Sequence, residues 1–457
     1  MDMLRRSLTR VARIDIAISL SVLVLALLVT LSRPAHAMKI EVIKSPGGIQ
    51  AWLVEAHENP LLALRFSFEG GNSQDPDGKE GLANFLSAML DEGAGDIVAS
   101  DFQEQMESLA MRMRFEDSRD GFYGSFETLT ENRAESVRLL KLALTKPRFD
   151  ADAVERIRGQ IQANLVYSDR DPEKVAAREW FATAFAGHRY GRPSQGTEAS
   201  VGAITRDDLE AFRKRNFARS NLKIVAVGDI TAEELGKLID EVFGDLAETA
   251  DLADVPMTEP AGGKETWITM DVPQSVASFG LPAMARKDPD FMAAFVLNHL
   301  VGGGGFASRL MEEVREKRGL AYSVYSYLQP FKHTSVFYGG VATRADAIQQ
   351  SLDIIRKELT QIAADGPTPE EWENAKKYLV GSYPLRFDTN TKIASQLLGL
   401  FEDGFGPDYI ETRNAQIEAL TLDDAKRVAK RLLAPDKLIV TIVGQPATAA
   451  ASAGKKG

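Results

Sequence analysis

Thr205–Gly228 reads TRDDLEAFRKRNFARSNLKIVAVG and Thr421–Gly444 reads TLDDAKRVAKRLLAPDKLIVTIVG, and the two stretches align without a gap. Identities fall at Thr205/Thr421, Asp207/Asp423, Asp208/Asp424, Lys214/Lys430, Arg215/Arg431, Ala218/Ala434, Leu222/Leu438, Val227/Val443 and Gly228/Gly444. Each copy predicts a helix, a short turn and a strand closed by glycine. The leading Thr hydroxyl can cap the helix, and two Asp follow in the first turn, where the helix dipole favours negative charge. LKIVAVG and LIVTIVG are nearly unbroken apolar runs, which predicts strands covered on both faces. The chain therefore reads as two related halves, each closed by one copy.

Each half opens with strands and continues with helices. Strands are expected at Ile49–Val54 and Leu62–Glu69 in the first half, and at Thr266–Val272 and Ser278–Gly280 in the second. That order predicts an α+β class, two layers per half, rather than a doubly wound parallel sheet. Ala247–Lys264 (AETADLADVPMTEPAGGK), rich in Pro, Gly, Ala and acids, reads as a linker between a first half at 38–246 and a second at 265–446; residues 447–457 read as a flexible tail.

The first 37 residues have a different character. Arg5, Arg6, Arg10 and Arg13 precede an uncharged apolar run from Ile16 to Leu31, and Pro34 leads into Ala35-His36-Ala37. Basic, apolar and small-residue regions in that order make a signal peptide, with an uncleaved anchor in the inner membrane as the alternative. Removing residues 1–37 takes five basic and two acidic side chains and moves the net charge from -11 to about -14. Such an acidic chain is a poor nucleic-acid binder. Cysteine is absent, so an exported protein of this size holds itself by packing alone, which suits a bacterial periplasm.

Gly81–Leu90 (GLANFLSAML) places Leu82, Phe85, Leu86, Met89 and Leu90 on one helical stripe. The surrounding FEGGNSQDPDGKEGLANFLSAMLDEGAG resembles the first helix of the pitrilysin/insulinase family of zinc peptidases, which includes the mitochondrial processing peptidases. In active members that helix carries His-x-x-Glu-His: two imidazoles one turn apart bind zinc, and the carboxylate activates the metal-bound water. Carried over by position, the motif puts Asn84 and Ala88 where the histidines belong and Ser87 where the glutamate belongs. A further glutamate ligand falls near Asn164, with Ile157 where another acid is usual. None of these positions is acidic or imidazole, so the resemblance implies a clam-like peptidase fold with a degenerate metal site and no zinc of its own. The remaining histidines of the mature chain, His57, His188, His299 and His333, lack metal-binding spacing.

Val301–Tyr327 (VGGGGFASRLMEEVREKRGLAYSVYSY) retains more. Gly302, Gly303, Gly304 and Gly305 make a loop that is either mobile or open to close approach by another backbone. A helix is expected over Ser308–Arg318, with Glu313 and Lys317 one turn apart, ended by Gly319 before a strand. REKRGLAYSVYS resembles the second-half signature of the same family. That resemblance implies that Arg315 and Tyr322 hydrogen-bond substrate backbone near the scissile carbonyl and stabilise charge there; read without it, Arg315 is a helix-end charge and Tyr322 a packing residue. Further likeness runs through GHRYGRPSQGTEASVGAITRDDL and YLVGSYPLRFDTNTKIASQLLGLFEDGFGPDYI.

Lost metal positions beside a retained Arg and Tyr imply a non-catalytic subunit. It would bind extended peptide and complete the site of a homologous partner that carries His-x-x-Glu-His and the zinc, in a heterodimer or larger assembly. The alternative is a structural or peptide-holding protein of the kind found in respiratory-complex cores, with no part in proteolysis. An active peptidase using an unrecognised site is a third, remoter reading.

Overall fold

The computed structural model describes residues 38–445, and from Glu41 onward they form one packed unit. The segment read as a signal peptide and the tail lie outside the described residues. In the first half, β1 (Glu41–Lys44), β2 (Gln50–Glu55), β3 (Leu61–Glu69), β4 (Arg112–Asp117), β5 (Gly121–Leu129) and β6 (Leu222–Gly228) form a sheet of order β1-β2-β6-β3-β5-β4. In the second, β7 (Glu265–Thr269), β8 (Gln274–Pro282), β9 (Ala321–Pro330), β10 (Ser335–Arg344) and β11 (Ile439–Gly444) take the order β7-β11-β8-β10-β9. Set aside β1, and the two orders are the same. The closing strand of each half, β6 or β11, runs parallel to the first strand of that set and antiparallel to the second.

The repeat seen in the sequence sits at corresponding places in the two sheets. Thr205 accepts from the Asp208 N–H at 3.2 Å while the Asp208 carboxylate accepts from the Thr205 N–H at 2.7 Å; Thr421 and Asp424 make the same reciprocal cap at 3.2 and 2.9 Å. The strands end at Gly228 and Gly444, at φ of 145° and 151°, where a Cβ would run into Leu61 O and Ser275 Oγ respectively. Glycine is required there by conformation and by space.

One face of each sheet packs on its own half's helices. Leu62, Leu64, Phe66 and Phe68 of β3 point into a core with Leu82, Phe85, Leu86, Met89 and Leu90, and in the second half Phe279, Leu281, Phe337 and Val341 do the same beneath Leu352, Ile355 and Leu359. The opposite faces are covered crosswise. The Pro172–Ala184 helix of the first half lies on the second sheet, packing Trp180 and Phe181 against Val336, Tyr338 and Ile439, and Trp180 donates to Ile439 O at 3.1 Å. Gly280 of β8 makes room for it: a Cβ there would stand 2.5 Å from the Trp180 ring. In return the Asn390–Glu402 helix of the second half lies on the first sheet, where Phe401 stacks on Trp52 at 4.7 Å and accepts from Lys223 Nζ at 3.0 Å.

Two helices differ from expectation in extent. The stripe over 81–90 is buried throughout, yet regular α-helix spans only Leu82–Ser87. The last turn tightens because the Ala88 N–H reaches both Asn84 O and Phe85 O, and Met89 N bonds to Leu86 O. In the second half, Met311–Glu316 is wound as a π-helix rather than an α-helix. Residues 247–264 are laced to both halves: Gln74 exchanges two hydrogen bonds with Ala253, the Thr258 N–H donates to His333 O and the Ala261 N–H to Ala184 O.

Candidate functional site

The degenerate metal positions lie beside the free edge of the first sheet. Asp75 fixes the start of the Leu82–Ser87 helix by accepting from Gly81, Leu82 and Ala83 N–H at 2.8, 3.2 and 2.9 Å, and burial pushes its carboxyl up to about 8. One turn on, Asn84 donates to Asp117 Oδ1 at 3.1 Å, and Asn72 donates to Asp117 Oδ2 at 2.7 Å. Burial raises the Asp117 carboxyl, against the pull of those two amides. Ser87 turns back to Asn84 O at 2.7 Å, and Ala88 caps the helix with a methyl group. Asn84 and Ser87, together with Phe115–Arg119, Ser194, Gln195, Gln329 and Phe331, line a cavity of about 430 Å³. Ile157 is buried in the core, and Asn164 is exposed on the Ala151–Ser168 helix.

These donors do not fit zinc. Amide, hydroxyl and methyl groups stand where imidazole and carboxylate would be needed, and the carboxylate alongside is committed to two amides. Among the described residues no group of three or more His, Cys, Asp or Glu is placed to hold a metal ion. The histidines have other occupations: His57 Nδ1 bonds to Asp229 at 2.7 Å, His188 Nε2 to Pro256 O at 3.0 Å, and His299 stacks on Tyr378 at 4.9 Å.

Arg315 and Tyr322 do come together, at the far end of β9. The Arg315 guanidinium lies 4.8 Å from the centre of the Tyr322 ring, and both line a cavity of about 570 Å³ with Gln274, Ala342, Thr343 and Arg344. A bulge aims the tyrosine. Thr343 pairs with Ala321 and Ala342 with Ser323, which leaves Tyr322 without a partner. Ala321 and Val324, three residues apart, consequently face the same core, which a regular strand of period two forbids. Without the extra residue Tyr322 would share the inward face of Val324; with it, the side chain is 80% exposed.

The same strand joins the two regions while holding them apart. Tyr322 is at its start and Gln329, a wall of the degenerate cavity, is seven residues on, a span of roughly 23 Å at strand rise. The cavity lined by Arg315 and Tyr322 shares no lining residue with the one lined by Asn84 and Ser87.

Of the two readings of the glycine run, the structure takes the second for three of its members. A Cβ on Gly302 would meet Ser326 N at 2.7 Å, one on Gly303 the Asn298 amide at 2.7 Å, and one on Gly304 His299 O at 2.7 Å. Gly302 and Gly303 are not the expected loop but the end of a π-helical turn, His299–Gly303, whose backbone lies directly on β9 and the preceding helix; Ser326 Oγ donates to Asn298 Oδ1 at 2.9 Å. Only Gly305, at φ 57°, has open space around it. Sequence reasoning missed Asp75, Asp117 and Gln329, which reach the first region from a turn and two strands. It also missed Phe306, whose one signal was an aromatic residue directly after four glycines.

The family of this fold follows from comparison with known proteins. Residues 52–198 match the profile described as insulinase (peptidase family M16), and residues 203–379 that of the peptidase M16 inactive domain. A non-peptidase homolog from Helicobacter pylori is 28% identical over 81% of this chain and 86% of its own length. An uncharacterized zinc protease of Mycobacterium tuberculosis is 30% identical over 77% and 81%, and a probable mitochondrial-processing peptidase subunit beta of Schizosaccharomyces pombe 25% identical over 82% and 85%. The crystal structure of a peptidase M16 inactive domain from Pseudomonas fluorescens superposes with a TM-score of 0.84 at 29% identity, covering 89% of this chain and 98% of that one. With its histidines and glutamate replaced and its architecture kept, the chain belongs to peptidase family M16 as a non-catalytic member.

Proposed function

We propose that this chain is the non-catalytic subunit of a heteromeric zinc peptidase, secreted into the periplasm, which binds extended peptide and lends Arg315 and Tyr322 to a homologous partner bearing His-x-x-Glu-His and the zinc. The observation that carries the reading is the separation along β9. Arg315 and Tyr322 stand together at one end of that strand, and Gln329, a wall of the chain's own degenerate cavity, lies seven residues on, roughly 23 Å at strand rise, which supports service to a centre on another chain. Kinship with a processing-peptidase subunit supports a peptidase partner. In this reading the guanidinium N–H groups and the Tyr322 hydroxyl donate to the substrate carbonyl as it gains negative charge, donors aimed at the charge of the transition state rather than of the ground state.

The test is to purify the tagged chain from its native envelope fraction and to assay chelator-sensitive cleavage of a quenched fluorescent, unstructured peptide by the isolate and by the chain alone. Activity only in the presence of a co-purifying zinc-containing homologue is expected. Zinc and activity in the solitary chain would overturn the proposal. Inactivity of both would transfer support to a structural, peptide-holding role.

A further inference from the structure

Tyr322 is one of two rings on Arg315. The Phe306 ring lies 4.6 Å from the same guanidinium, so two aromatic rings contact the cation. Phe306 is 67% exposed, a large apolar side chain left in water at the tip of the glycine loop. Its position is built. Gly305 turns left-handed immediately before it, and Gly305 O accepts from Ser308 Oγ at 2.7 Å on the far side of the turn. The glycines upstream are pressed onto Ser326, Asn298 and His299. The segments on either side, His299–Gly303 and Met311–Glu316, are both π-helical, a winding that is rare and concentrated at functional sites. The guanidinium has little else to hold it, since among the described residues its ionic partner is the adjacent Glu316 at 3.4 Å.

We infer that Phe306 is a positioning residue for Arg315: its ring and that of Tyr322 clamp the guanidinium, leave its N–H edge exposed, and so fix the direction in which Arg315 presents donors to the bound peptide. This rests on the proposed role of Arg315. A stacked cation keeps its hydrogen-bonding edge, because the ring contacts the π face and the N–H groups lie in the plane. An Arg on an unclamped side chain samples many rotamers, and only a fraction of them aim the donors correctly. Phe306 touches neither the peptide nor the metal in this scheme and acts only through Arg315.

The experiment has two arms, both on the full mature chain. In the co-purified assembly, Phe306→Ala and Phe306→Leu should lower kcat for the quenched peptide about three- to fivefold, the size of an exposed cation–π contact, with KM and assembly unchanged. Phe306→Trp should retain full turnover. In the isolated chain, the Arg315 Nε–H resonance, assigned by its loss in Arg315→Lys, should be displaced by ring currents more strongly in the wild type and in Phe306→Trp than in Phe306→Ala, where the Tyr322 ring alone remains. Wild-type kcat in Phe306→Ala, while Arg315→Ala is impaired, would overturn this inference and leave the proposed function standing. Unimpaired turnover in Arg315→Ala would overturn the proposed function and this inference with it. Loss of assembly in both Phe306→Ala and Phe306→Leu would make Phe306 a subunit contact and also overturn it.

Discussion

The former metal centre and the Arg315 end of β9 have opposite electrostatic economies. In the first, the two polar replacements on the Leu82–Ser87 helix have partners inside the chain, and so do their neighbours: Asn84 and Asn72 donate to Asp117, Ser87 donates to Asn84 O, and Asp75 accepts from three backbone N–H groups. In the second, a half-buried guanidinium lies beside an exposed phenol, with aromatic surface in water, and among the described residues the guanidinium's ionic partner is the neighbouring Glu316. Buried polar groups must be satisfied locally, so a site that loses its metal either closes into a network or destabilises the fold. Outward groups carry no such obligation. In the first region the polar groups are tied into the fold, and in the second a guanidinium and a phenol face a cavity.

The largest expected effect sharpens that contrast directly. Arg315→Ala should lower kcat of the assembly about a hundredfold, the scale of losing a transition-state donor, whereas Asn84→Ala should leave it within about twofold. Peptide cleavage by the two reconstituted assemblies decides it, and equal losses would erase the distinction. Next comes the platform under the loop. Gly302→Ala drives a methyl group into Ser326 of β9 and should cost about 2–3 kcal/mol by urea denaturation, while Gly319→Ala, where nothing stands within 4 Å, should cost no more than about 1 kcal/mol for its φ of 58°.

The third prediction concerns a carboxyl at the junction of the halves. Burial pushes Glu402, at the end of the exchanged helix over the first sheet, up to about 7 from an ordinary 4.5. The folded state therefore holds its proton more tightly than the unfolded chain does. The associated stability is complete below about pH 4.5 and is lost as pH rises through 7. The shift corresponds to at most about 3 kcal/mol, and about half of that once solvent screening is allowed for, since Glu402 lines a cavity of about 320 Å³ with Arg65 and Tyr123. Glu402→Gln should accordingly be the more stable protein at pH 8 and lose that advantage at pH 5, by chemical denaturation at both. An advantage that is the same at both pH values would show that the carboxyl does not titrate between them. The smallest effect returns to the closed network: Asn84→Ala removes one of the two amides on Asp117 and should cost about 1 kcal/mol of stability.

The parts of the molecule that were legible in its sequence are those whose signals are local. The capping residues Thr205 and Thr421, their partners Asp208 and Asp424, and the glycines ending β6 and β11 act within a few residues, so the repeat could be read with its structure attached. The degenerate motif was legible for the same reason, as three positions on one helical turn. The crosswise exchange of helices was not: the apolar face of Pro172–Ala184 states that something covers it, and nothing in its periodicity says which sheet. Asp117, Gln329 and Phe306 were missed because they reach their regions from a sheet edge, a remote strand and a loop. The bulge at Tyr322 is set by register with β10, which one strand's sequence does not contain.

The helix exchange bears on how such a molecule could ever be divided. Trp180 sits under the sheet of the other half and Phe401 does likewise in return, so a cut anywhere in 247–264 would separate no folding unit. Two fragments made by such a cut would each expose an apolar sheet face and carry the one helix that covers the other's. They are natural candidates for complementation, unstable apart and reassembling without a covalent link, and a single clip in the connection would pass unnoticed by everything except a denaturing gel.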